Sequence, residues 1–393
     1  MVFSVKTYNN INQIGLKELG NHFQIDGDLA ENPDAYIIRS QNLHNTVFPD
    51  NLKAIARAGA GTNNIPVDEA TEKGIVVFNT PGANANAVKE AVLASILLSA
   101  RDYIAANAWV NTLSGDDVPK QIEAGKKQFA GSEITGKTLG VIGLGAIGAR
   151  IANYAYRLGM KVYGYDPYVS IEAAWNISHH VKRVSDLKEI FENCDYITVH
   201  VPLTPDTQGT FNADAFNLMQ KGTTIINFAR AELVDNDALF DALETGVVKR
   251  YITDFGTEDL LNKPNVTVFP HVGGSTGEAE LNCAIMAGQT IRRFMETGEI
   301  VNSVNFPRVQ QALSAPYRIT LINKNVPNIV ARISTAVSDF NINIDNIINR
   351  SKGDYAYTLL DLDETDKSKI DELVAKFEAS ENIVRVRLIK GKS

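Results

Sequence analysis

Three polar side chains stand just past short apolar runs in the second half of the chain. Arg230 follows Thr224–Phe228, Glu258 follows Arg250–Thr253, and His271 follows Val266–Phe269. Short apolar runs bounded by turn residues read as buried strands. In parallel α/β sheets, ligands bind outside the C-terminal ends of the strands. Such a sheet would therefore bring these side chains to one edge. An arginine, an acid and a histidine together suit the oxidation of a 2-hydroxy acid. The guanidinium holds a carboxylate bidentately and stays charged. The imidazole takes the hydroxyl proton as hydride leaves, because it exchanges protons near neutral pH. A carboxylate on its other ring nitrogen fixes the tautomer and stabilises the imidazolium. Asp259 adjoins Glu258, so the choice between these two acids stays open. Each side chain taken alone suits a solvated or structural role; placement at successive strand ends favours chemistry.

Hydride transfer needs a carrier, and the chain contains a place for one. Gly140–Asp166 reads GVIGLGAIGARIANYAYRLGMKVYGYD. An apolar run, Leu139–Ile142, leads into Gly143, Gly145 and Gly148, spaced as G-x-G-x-x-G. A helical pattern and a second strand ending at Asp166 follow. That context makes the motif a dinucleotide fingerprint rather than a generic turn. The pyrophosphate would lie at the helix N-terminus, where free N–H groups and the dipole favour anions. Asp166 would accept hydrogen bonds from the ribose hydroxyls and repel an added phosphate, so NAD is expected over NADP.

The remaining bounds are broad. A chain of 393 residues, 44% apolar and 21% charged, suits two or three globular domains. A formal charge of −8 without a basic cluster argues against nucleic acid as a partner. The two cysteines, Cys194 and Cys283, lack disulfide or metal-ligand spacing, so no metal is expected. The first residues lack the apolar core of a signal peptide, and no run is long enough to span a membrane. A cytoplasmic protein without membrane partners is expected.

Residues 1–98 alternate strand and helix patterns, with strands at Phe3–Tyr8, Tyr36–Arg39 and Ile75–Phe78 and an apolar helix at Ala87–Ala100. From about residue 136 successive βα units predict a parallel sheet covered on both faces. Asn302–Ala315 changes character, with 306–315 reading as a linker, and residues 316–393 follow the order βαββαβ.

Taken together, GVIGLGAIG (140–148), YDP (165–167), HVPLTPDT (200–207), NFARAELVD (227–235), ITDF (252–255) and PHVGGST (270–276) resemble the D-isomer-specific 2-hydroxyacid dehydrogenases. The match is to a short form with a C-terminal ACT domain. The resemblance implies an α/β fold: a Rossmann-type NAD domain (99–284) inserted in a flavodoxin-like substrate domain (1–98 with 285–305). A linker (306–315) and an ACT domain (316–393) follow. It implies Arg230 as the substrate-carboxylate arginine, His271 as acid/base and Glu258 as its partner. It implies NAD contacts from Gly143, Gly145, Ala146, Ile147, Gly148, Asp166, Pro202, Thr207, Ala229, Asp254 and Gly274. Arg39, Ser40 and Asn84 would meet a substrate phosphate. The implied reaction is NAD-dependent oxidation of 3-phospho-D-glycerate to 3-phosphooxypyruvate, the first step of L-serine synthesis, by a homodimer or homotetramer. Glycerate or 2-hydroxyglutarate as substrate, or an NAD-sensing regulator without turnover, are the alternatives.

Departures from the family pattern bear on two points. Ala231 stands where a glycine usually follows the arginine. In the terminal module, Asn325 and Asn343 match amino-acid effector ligands, but Asn323 and Asn328 replace the histidine and glycine of serine-regulated relatives. Effector binding and dimerisation through sheet edges both remain open for that module.

Overall fold

A computed structural model describes residues 2–27 and 31–391. Its strands form three sheets. The first holds β1 (Phe3–Thr7), β2 (Phe23–Ile25), β3 (Ala35–Ile38), β4 (Ala54–Arg57) and β5 (Val76–Phe78). All pair parallel, in the order β2-β1-β3-β4-β5. This is the flavodoxin-like order, in which ligands meet the chain beyond the strand ends. The sequence of β3, AYII, is buried throughout. Parallel strands covered on both faces read as such continuous apolar runs.

The second sheet holds β6 (Thr138–Ile142), β7 (Lys161–Tyr165), β8 (Lys182–Arg183), β9 (Tyr196–Val199), β10 (Thr223–Asn227), β11 (Val248–Thr253) and β12 (Val266–Val268). The order is β12-β11-β10-β9-β6-β7-β8, again parallel. The strand order reverses between β6 and β9, which marks the dinucleotide crevice of a Rossmann sheet.

The third sheet is antiparallel: β13 (Tyr317–Lys324), β14 (Asn343–Lys352), β15 (Tyr355–Asp363) and β16 (Ile383–Lys390), ordered β14-β15-β13-β16. With helices Ile329–Asp339 and Lys367–Glu378 it completes βαββαβ. Alternation along β13 and β15 separates the two faces. Ile319, Leu321, Leu360 and Leu362 pack with Ile333, Val337, Leu373 and Phe377 of the helices. Ile322, Tyr357 and Leu359 on the other face join a core with Phe78, Phe294 and Phe306.

That second face also buries charge. Arg318 pairs with Asp361 (Nη2–Oδ2 2.7 Å) and donates to the carbonyls of Thr297, Gln311 and Ala312 at 2.8, 2.9 and 3.1 Å. Arg387 donates to the carbonyls of Phe294 and Met295, and the Tyr357 hydroxyl to that of Gly298 at 2.6 Å. These groups supply partners for the orphan carbonyls that end helix Gly277–Thr297. Within 306–315, Phe306 and Val309 are fully buried.

The chain divides into two compact units, 1–83 with 280–393, and 84–279. In the second unit, helix Ala85–Ala100 packs Val88, Val92 and Ile96 with Leu139, Val141, Ile151 and Ala152. Among the described residues, no helix is long and apolar enough to cross a membrane.

Candidate active site

The glycine turn lies between β6 and helix Gly148–Arg157. Gly143 has φ +89°, and a Cβ there would meet the His200 carbonyl oxygen at 2.7 Å. Gly145 faces open space, with no atom within 4 Å of a would-be Cβ. A cofactor backbone can approach such a position closely, so the residues present fit a dinucleotide. Asp166, one residue past β7, accepts from the Leu144 N–H (2.9 Å) and the Tyr168 N–H (2.8 Å). It pins the glycine turn, and its remaining lone pairs suit ribose hydroxyls. Ala146 and Pro202 are exposed at this end, and Ile147, Thr207 and Ala229 are half-buried. Thr207 also braces its own loop, donating to the Pro202 carbonyl at 2.6 Å and accepting from the Thr204 N–H at 2.8 Å.

His200, between the turn and that loop, contacts the Thr198 hydroxyl through Nε2 at 2.8 Å. Burial pushes its pKa down to about 3. Below its unfolded value of about 6.5 the unfolded chain binds a proton that the folded chain refuses. This group therefore costs stability as pH falls from about 6.5 toward 3. The melting temperature of the wild type should drop faster between pH 6.5 and 4.5 than that of His200→Gln; parallel curves would refute the assignment.

Arg230, Asp254 and His271 meet at the ends of β10, β11 and β12. Arg230 lies 5.8 Å over the Phe255 ring, and the His271 ring centroid is 4.6 Å from that of Phe255. Asp254 is buried, which raises its pKa against the opposing pull of the Gly273 N–H, His271 and Arg230. Its Oδ2 accepts from the Gly273 N–H at 2.9 Å, while Oδ1 is buried without a partner. His271 has φ +47°, and its N–H reaches the Asp254 carbonyl at 3.1 Å and that of Phe269 at 3.0 Å. Gly274 backs onto the Asn84 amide, where a Cβ would come within 2.5 Å of Nδ2.

Glu258, the expected partner of His271, lies in the loop that follows β11. Glu258 is exposed at the start of the 3-10 turn Glu258–Leu260. Among the described residues no hydrogen bond or ion pair joins His271 to Glu258 or Asp259. The Thr257 hydroxyl and the Asn236 amide, the latter at 2.8 Å, hold Asp259 and lower its pKa. Asp254 is a further acid close to His271 in the chain's fold, since its carbonyl accepts from the His271 N–H.

Asn227 was not anticipated. It is fully buried, and its Oδ1 accepts from the N–H groups of Ala229 (3.0 Å) and Arg230 (3.3 Å). Its Nδ2 donates to the Arg230 carbonyl at 2.7 Å and to the Tyr251 hydroxyl at 3.2 Å. A buried asparagine with this many partners holds the Arg230 backbone in one conformation. An asparagine ending an apolar strand was the available sign.

In the other unit, Asn9 organises the loop after β3. Its Oδ1 accepts from the N–H groups of Arg39, Ser40 and Gln41 at 3.3, 3.0 and 2.8 Å. The Arg39 guanidinium pairs with Glu280 at 2.7 Å, and both side chains are about two-fifths exposed. In the C-terminal module, Asn325 Nδ2 donates to the Gly353 carbonyl at 3.1 Å, and Asn343 is exposed at the start of edge strand β14. Asn323 is buried and accepts from the Thr358 hydroxyl at 3.2 Å. Asn328 adopts φ +63°, a left-handed conformation that asparagine tolerates in place of glycine.

A switch-point dinucleotide turn followed by strand ends bearing an arginine, an acid and a histidine defines an α/β protein of the nicotinamide-dependent oxidoreductase class. The chain belongs to the D-isomer specific 2-hydroxyacid dehydrogenase family, whose NAD binding domain matches residues 93–273. D-3-phosphoglycerate dehydrogenase 1 of Saccharomyces cerevisiae is 30% identical over 363 residues, 86% of this chain and 74% of its own. The D-3-phosphoglycerate dehydrogenase of Methanocaldococcus jannaschii is 37% identical over 291 residues, 72% of this chain and 53% of its own. The Bacillus subtilis enzyme of that name matches over 52% of its length, so the chain spans about half of these two relatives. The NAD+-bound 3-phosphoglycerate dehydrogenase of Entamoeba histolytica superposes with a TM-score of 0.60 at 26% identity, covering 78% of this chain and 99% of that one.

Proposed function

We propose that this protein oxidises 3-phospho-D-glycerate to 3-phosphooxypyruvate with NAD, the first step of L-serine synthesis. What supports the chemistry is the placement of Arg230, Glu258 and His271 past β10, β11 and β12, in the same sheet as the strand that leads into the dinucleotide turn. The names of the relatives support the substrate. NAD, when bound, accepts the hydride from C2 of the acid. Arg230 binds the substrate carboxylate with two parallel hydrogen bonds and orients C2. His271 accepts the C2 hydroxyl proton. Glu258 is the acid that supports the resulting imidazolium, and Asp254 adds a second carboxylate near it. Gly143, Gly145, Ala146, Ile147, Gly148, Asp166, Pro202, Thr207, Ala229, Asp254 and Gly274 hold the cofactor. Arg39, Ser40 and Asn84 hold the phosphoryl group.

The domain roles follow the same reading, with substrate held by the flavodoxin-like part and cofactor by the Rossmann sheet. The terminal module is proposed to take an amino-acid effector at Asn325 and Asn343 or to pair with a second copy, in a homodimer or homotetramer. Two buried thiols, Cys194 and Cys283, suit a reducing cytoplasm.

NADH formation from 3-phosphoglycerate, D-glycerate and D-2-hydroxyglutarate tests the substrate. A preference for the phosphorylated acid is expected, and equal use of D-glycerate would sink the assignment. Arg39→Ala should raise KM for 3-phosphoglycerate about 10- to 100-fold, the worth of a charge-assisted hydrogen bond. An unchanged KM would remove Arg39 from the phosphate site.

A further inference from the structure

The guanidinium assigned to the substrate phosphate already holds an anion. Arg39 Nη2 lies 2.7 Å from Glu280 Oε1. Glu280 is the fourth residue of helix Gly277–Thr297, so its carboxylate also lies in the first turn, where the helix dipole favours negative charge. The loop bearing Arg39 is fixed from behind. Asn9 takes its N–H groups, and Arg57 Nε donates to the Arg39 carbonyl at 3.1 Å. Around this point Arg39, Arg57 and Glu280 all act on the buried Cys283 thiol, so two cations and one carboxylate share the neighbourhood. Burial raises that thiol, leaving it a neutral neighbour.

We propose that Glu280 is a tethered anion that occupies Arg39 and sets how strongly phosphorylated acids are selected over unphosphorylated ones. This rests on the phosphate role of Arg39 proposed above. A phosphoryl group must displace the carboxylate and then bind beside a like charge. An acid without phosphate meets neither cost. The present phosphate affinity is therefore below what Arg39 can supply. The pair is about two-fifths exposed, so water screens it and the penalty is modest.

The test is steady-state kinetics of full-length wild type, Glu280→Gln, Glu280→Ala and Glu280→Asp, with inorganic phosphate as a competing probe. The neutral variants should lower KM for 3-phosphoglycerate and the inhibition constant of inorganic phosphate about fivefold. The ratio of kcat/KM for 3-phosphoglycerate to that for D-glycerate should rise by a similar factor, and Glu280→Asp, which keeps the charge, should shift least. A general packing defect would not tighten binding of inorganic phosphate. A wild type that prefers 3-phosphoglycerate, with neutral variants whose KM is unchanged or higher, overturns this inference and leaves the phosphate site intact. A wild type without that preference and without phosphate inhibition overturns both.

Discussion

Replacing His271 by alanine is expected to lower kcat for NADH formation by about 10²- to 10⁴-fold, the range for loss of a positioned general base. KM for the acid should change only a few-fold, because Arg230 and the phosphate ligands hold the ground state. The surroundings of the ring suit the proposed proton transfer. Its backbone is fixed through the Asp254 and Phe269 carbonyls, and one side of the ring meets Phe255. Its residue is otherwise exposed, where a substrate hydroxyl can reach it. Asp254 gains importance once His271 becomes cationic. Burial disfavours its ionised form, and a neighbouring imidazolium favours it. Steady-state assays with a circular-dichroism check of folding decide the matter. A variant retaining a tenth or more of wild-type kcat would show that another group takes the proton.

Arg230→Gln should cost about 10²- to 10³-fold in kcat/KM, as two charge-assisted hydrogen bonds to the substrate carboxylate become at most one neutral contact. Lysine should restore little, because an ammonium cannot reproduce the planar fork. The guanidinium now donates to its own Ala229 carbonyl at 2.6 Å. Substrate must draw it away, while Asn227 keeps the backbone beneath it in place. Much of the loss should appear in KM. A KM within fivefold of wild type for Arg230→Gln would assign the carboxylate to a different residue.

Local patterns made much of the fold legible. The parallel strands were read from apolar runs, and the β13–β16 module from its alternating periods. β2, with the sequence FQI, and β8, with the sequence KR, lack the continuous apolar run that marks β5.

The site divides the same way. The sequence alone determined the glycine turn, with Asp166 closing its unit, and the presence of Arg230 and His271 past successive strands. Each of those signals is local: a period, a spacing or a residue type at a strand end. Only the tertiary structure decided that Asn227 holds the Arg230 backbone and that Glu280 occupies Arg39. The first depends on how one turn closes on itself and the second on which distant loops meet, and residue spacing carries neither.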